Sequence, residues 1–166
     1  MASIRLGGDI RALTNHIRKL EQLDFKTINE ALGQVVRTST RMRFQQQKGP
    51  DEKPWKQSIR ASQQGGVTLT DTAQLKNSIR SKADNDSFAV GTNVIHARRH
   101  QFGDKKPLTI KAKTSKGLRF KINGRWITKK QVKVQMPARP FLGINETDLD
   151  EIKGTLEDFI KDCEST

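Results

Sequence analysis

Tyrosine is missing from this 166-residue chain, cysteine occurs once, and aromatic residues make up only 5% of it. The lone Cys163 excludes an internal disulfide and a cysteine-rich zinc site, which fits assembly in a reducing cytoplasm. No stretch reaches the roughly eighteen apolar residues of a membrane span. Residues 1–8 are polar and lack a signal-peptide core, so a soluble protein with no membrane partner is expected. With a mean hydropathy of −0.72 and 30% charged residues, the apolar third must be gathered on particular faces. The length suits a single domain, 1–166, whose core is aliphatic with a few Phe and Trp anchors.

Catalytic signatures are equally scarce. There is no nucleophile elbow, phosphate-binding glycine loop or dinucleotide fingerprint, and Gly7-Gly8 and Gly65-Gly66 are isolated turn glycines. His96 and His100 have the spacing of two ligands on one helix face, but Ala97-Arg98-Arg99 lies between them and no third ligand is evident. His100 is expected to make a structural hydrogen bond. Asp71, Asp84 and Asp86 read as a cap and turn residues rather than a magnesium cluster. Cys163 falls on an apolar helical stripe among acids, a setting that raises a thiol pKa and points to packing. No catalytic residue, cofactor or metal is therefore expected, and the chain is not expected to be an enzyme.

What the chain does have is positive charge in one place. Between positions 87 and 145 there are fourteen Lys and Arg residues, from Arg98 to Arg139, against the single acid Asp104. That excess of thirteen equals the formal net charge of +13, so the remainder is neutral as a set. Such a zone concentrates polyanions without reading base sequence, or it is a solvated face.

Periodicity places this zone on strands. Leu118, Phe120 and Ile122 alternate with Arg119 and Lys121, Asn123-Gly124 is a strong hairpin signal, and residues 125–128 follow. Phe120 then opposes Ile127 on one face, and Lys121 opposes Trp126 on the other as a cation–π pair. One apolar and one basic face are expected. Leu108 and Ile110 upstream and Val132 and Val134 downstream alternate with lysines in the same manner.

Ahead of the zone, Ile10, Leu13, Ile17 and Leu20 predict a helix capped by Asp9. Asp24 starts a longer one through Ile28, Leu32, Val35, Val36 and Met42, ending before Gly49-Pro50. The short turn between them implies that the two pack on each other or on one sheet. Residues 48–67 read as a loop whose one aromatic side chain, Trp55, is a plug over the core or a partner contact. Thr70-Asp71 would cap a short helix carrying Leu75 and Ile79, and a strand pair is expected around the turn Asn85-Asp86. Thr147 would cap an acidic C-terminal helix, 146–163, whose stripe is Leu149, Ile152, Leu156, Phe159 and Cys163. The overall division is a helical part, 1–47, the loop, a mainly β part, 68–145, with a basic hairpin at 117–130, and the last helix. The acidic helix of one copy meeting the basic face of another would be one route to self-association.

Five segments occur in a telling order. They are Trp55; Leu69-Thr-Asp-Thr-Ala-Gln-Leu75-Lys-Asn-Ser-Ile79; Val90-Gly-Thr92; His96-Ala-Arg-Arg-His100-Gln-Phe-Gly103; and Met136-Pro-Ala-Arg-Pro-Phe141-Leu-Gly143. Together they resemble the phage virion morphogenesis family, the tail-completion or neck proteins of Mu-type and P2-type tailed phages. The family usually has Gly where Ala73 stands and Tyr where His96 stands; Ala at 73 is compatible with a helix start. The resemblance implies an α+β protein with two N-terminal helices and a C-terminal helix on a mostly antiparallel sheet. It implies a structural, non-enzymatic virion protein of the head–tail junction, made in the bacterial cytoplasm and forming a ring of commonly six copies. Its partners would be further copies, the head connector or adaptor, the tail tube or terminator, and the double-stranded genomic DNA passing through. Arg119, Lys121, Arg125, Lys129 and Lys130 would face DNA or an acidic neighbour, with Trp55, Arg98, Arg99, Arg139 and Phe141 as interface candidates. The alternative is a nucleic-acid-binding module without sequence preference, with a nuclease a distant third.

Overall fold

A computed structural model describes residues 10–21, 23–122 and 124–165. Its backbone is the helix α2 (Phe25–Gln46), which begins where the Asp24 carboxylate accepts the Lys26 and Thr27 amides and the Thr27 hydroxyl. These bonds hold the Asp24 carboxyl below its ordinary pKa. Asp9, the expected cap of α1 (Ile10–Glu21), lies outside the described residues. Gln47 ends α2 in a left-handed conformation, and its amide bonds Phe44 O and both backbone groups of Thr68, fastening the following loop to the helix. The buried face of α2 carries Ile28, Leu32 and Val36 as expected, then Thr40, Arg43 and Phe44; Met42 is exposed. Strands β1 (Arg80–Ala83) and β2 (Phe88–Gly91) form the expected pair and lie against this helix. Whereas the first two helices are expected to pack on each other or on one sheet, α1 runs along the C-terminal helix α6 (Glu146–Ser165), where the Cys163 thiol donates to Lys19 O at 3.1 Å.

The stretch 48–67 is more ordered than a loop. It contains the one-and-a-half-turn helix α3 (Ile59–Gln64), started by the Ser58 hydroxyl accepting the Ala61 amide. Trp55 is the plug: 8% exposed, it donates its indole N–H to Pro140 O at 2.8 Å and meets Phe44 edge-on at 5.5 Å. Phe44, Trp55, Leu75, Ile79, Ala97 and Phe141 make the central cluster. Leu75 sits on α4 (Gln74–Asn77), but Thr70-Asp71 does not cap it. Ala73 occupies the cap position with φ of 55° and no side-chain bond, while Asp71 turns to Arg60 at 3.5 Å. At the other end of the chain, Thr147 is not the cap of α6 either. Asn145 is: its amide oxygen accepts the Asp148 N–H, and Asp148 Oδ2 accepts the Asn145 N–H, a reciprocal capping box.

No single sheet forms. The described strands pair into three separate two-stranded ladders: β1 with β2, β3 (Leu108–Lys111) with β6 (Gln131–Val134), and β4 (Leu118–Ile122) with β5 (Arg125–Lys129). The α+β class stands, but only β1 and β2 carry helices. The other four strands have one another alone, because no described residue between Ala97 and Arg139 is buried.

The Gly usual at position 73 in the family the chain resembles has a physical meaning, since a left-handed backbone costs a non-glycine residue about 1–2 kcal/mol, partly offset by glycine's greater freedom when unfolded. Ala73→Gly is expected to stabilise the chain by about 1 kcal/mol and raise its thermal midpoint by about 2–4 °C. A lowered midpoint would contradict this reading of the turn.

Candidate functional site: the basic arm and its root

The two outer ladders are successive parts of one ribbon. Leu108 pairs with Val134 and Lys111 with Gln131; farther out, Leu118 pairs with Lys129 and Ile122 with Arg125. Between them the Ala112 amide bonds Lys130 O at 2.8 Å, and residues 112–117 bulge out on the ascending side only. The chain re-enters the ladder at Gly117, with φ of 80°, where a Cβ would sit 2.9 Å from Thr128 Cγ2 and 3.2 Å from Lys129 O. The returning side runs from Arg125 to Val134, on the order of 30 Å at strand rise. The expected hairpin at 117–130 is thus the outer half of a longer arm.

At its root the arm is laced to α5 (Ala97–Phe102) and to the core. Arg99 holds the Asp104 carboxylate through Nε at 2.9 Å and Nη2 at 2.6 Å, and the same carboxylate accepts the Met136 amide at 3.0 Å. Arg99 and then the Met136 amide pull the Asp104 carboxyl down to about 2. Gly103, at φ of 67°, lets the two chains cross; a Cβ there would lie 2.7 Å from Ala138 N. Gln101 clamps the returning chain, its Oε1 accepting the Phe141 and Leu142 amides and its Nε2 donating to Leu142 O. Sequence reasoning overlooked Gln101; the His-Gln-Phe-Gly segment was its only signal.

The candidate residues divide accordingly. Arg119, Lys121, Arg125, Lys129 and Lys130 are all exposed on the arm, but not on one face. Strand alternation and register put Arg119 and Lys121 with Trp126 and Thr128, whereas Arg125 and Lys129 lie with Phe120, Ile127, Leu118 and Ile122 on the other face. The apolar face is therefore bracketed by cations. Lys121 does oppose Trp126, yet the cation over the indole is Arg119, 4.6 Å from the ring centroid and diagonal across the ladder. Trp55, Phe141 and Arg139 belong to the interior instead: Phe141 is fully buried and Arg139, 4% exposed, donates to Lys56 O at 2.7 Å. Of the five interface candidates only Arg98 and Arg99 are exposed, and Arg99 is engaged by Asp104.

An open cleft of about 650 Å³ lies beside the root, lined in part by Lys56, Arg60, His96, His100 and Arg139. His96 and His100 meet edge-on at 5.6 Å. The expected structural bond of His100 is not made at Nδ1, which is buried and has no partner among the described residues. Among those residues no group of three or more His, Cys, Asp or Glu side chains is placed to hold a metal. Among the described residues no helix is long and apolar enough to cross a membrane.

A small α+β body thus extends a cationic two-stranded arm. The family model of the phage virion morphogenesis family matches residues 9–161, and the chain belongs to that family, with a role in building phage particles. No curated protein and no solved structure matches it.

Burial, then the nearby His96, Arg139 and Arg99, hold His100 below its ordinary pKa of 6.5. The unfolded chain then takes up the proton more readily, so stability is complete above about pH 6.5 and falls as the pH drops below it. For Asp104 the unfolded chain likewise binds the proton first, and stability is lost as the pH falls from 3.8 towards 2. Urea unfolding across pH 2–8 is expected to show both losses. His100→Gln should flatten the upper one and Asp104→Asn the lower, and unchanged slopes would contradict these assignments.

Proposed function

We propose that this chain is a structural, non-enzymatic virion protein of the head–tail junction. Six or so copies would form a ring that completes the tail, joins it to the head connector and surrounds the DNA path. The observation that carries this reading is the arm. Fourteen cations and one acid occupy the segment from Arg98 to Arg139, and no described residue between Ala97 and Arg139 is buried, in a member of a virion morphogenesis family. A ribbon that contributes nothing to the core of its own chain serves a partner. Arg119 and Lys121, backed by Trp126, supply cations that would meet phosphates without reading bases, which suits a channel through which every genome sequence must slide.

Particles carrying Arg119→Glu with Lys121→Glu test this. Electron microscopy is expected to show separate heads and tails accumulating, with infectious particles reduced at least about tenfold. Normally joined, fully infectious particles would overturn the role given to this face. A purified monomer that binds double-stranded DNA tightly, with affinity falling steeply in salt, and that is absent from particles would favour the nucleic-acid-binding module instead.

A further inference from the structure

The arm has a second face, and phosphates do not suit it. Leu118, Phe120, Ile122 and Ile127 share it in the outer ladder, and none of them is buried. Apolar strand faces are stabilised by apolar cover, which DNA phosphates do not provide. The cover must also be acidic, because Arg125 and Lys129 flank Phe120 and Ile127 on this side, about 13 Å apart along the strand.

The body of the same chain presents such a surface. Helix α6 carries Asp150 and Glu157 seven residues apart, two turns along one helical face and about 10 Å from each other. Beside them Leu149 and Ile160 are 45% and 40% exposed. The adjoining α1 adds Ile10, Leu13 and Ile17, each 48% exposed or more. Within the helix Asp150 lies 4.0 Å from the exposed Lys153 and Glu157 3.8 Å from the exposed Lys161, pairs weak enough to exchange for an incoming cation. The arm's length, about that of a small domain's diameter, carries it to a neighbour.

We propose that the Phe120–Ile127 face of each arm seats on the α1–α6 surface of a second copy, Arg125 and Lys129 meeting Asp150 and Glu157. The Arg119–Lys121–Trp126 face is left outward. The proposal rests on the ring reading and names the contact that closes the ring.

The test is a photo-cross-link made in assembled particles from the full chain with Ile122→p-benzoylphenylalanine. Irradiation is expected to give a product of twice the chain mass whose linked peptide lies in α1 or α6. A link to another virion protein, to a different part of the second copy, or none at all would overturn the proposal. Head–tail joining is scored in the same preparation, so normal joining with a link elsewhere removes this contact and leaves the ring reading standing. Cross-linked pairs from a chain that is absent from particles would do the reverse. A charge exchange provides an independent arm. Arg125→Glu with Lys129→Glu should reduce the oligomeric fraction about tenfold, and adding Asp150→Lys with Glu157→Lys should restore it. Failure to restore it in a chain with normal circular dichroism would overturn the pairing.

Discussion

Arg43, near the end of α2, donates to the carboxylate of Asp148 on α6 and to the carbonyls of Phe141 and Gly143, partners 98 to 105 residues away along the chain. Both members of the ion pair are almost fully buried. Asp148 has a second duty, since the same carboxylate closes the capping box with Asn145 that starts α6. Breaking a buried pair by removing one partner costs about 3–5 kcal/mol, because the other charge stays buried and uncompensated. Three things are thereby fixed together: where α6 begins, how it lies on α2, and where the returning chain places Phe141 in the core beside Phe44. From Phe141 the order passes to Gln101, which holds its amide, and so to α5 and the root of the arm.

Positive charge is consequently used in two ways. Arg43 and Arg139 are interior residues whose guanidiniums hold backbone carbonyls, and Arg99 is spent on Asp104 at the root. The arm cations are displayed instead, on a ribbon that adds nothing to the hydrophobic core. Its two faces differ. In the outer ladder one carries Arg119 over Trp126 with Lys121 and Thr128; the other sets Leu118, Phe120, Ile122 and Ile127 with Arg125 and Lys129. A structural protein that meets DNA on one side and protein on the other would need this division, and strand alternation supplies it within the five paired positions of the outer ladder.

Much of this was legible in the sequence. The N-cap at Asp24, the strand pair about Asn85-Asp86, the burial of Leu75 and Ile79, and the register of Phe120 with Ile127 follow from local rules and were read from spacing. What was not legible depended on tertiary partners. Thr147 is as good a cap as Asn145 by residue type, and only Arg43 makes Asp148 the reciprocal member of the box. Ala73 reads as a helix residue, while its left-handed backbone is imposed by the approach to α4. The apolar stripe of α1 looked like a core face because periodicity reports amphipathicity and not what covers it. Arg139 and Phe141, read as interface residues, are interior because the returning chain passes beneath the loop that carries Trp55. The cations looked like one surface; Arg139 is interior, and the two-residue period of the outer strands sets Arg119 and Lys121 on one face and Arg125 and Lys129 on the other.

Amide hydrogen exchange on the full chain, free and in assembled particles, tests the division between a locked body and a displayed arm most directly. The account predicts strong protection of α2 around Arg43 and of the start of α6 in both states, with residues 108–134 exchanging fast when free and becoming protected on assembly. An arm that exchanges equally fast in the particle, with new protection confined to the body, would contradict it.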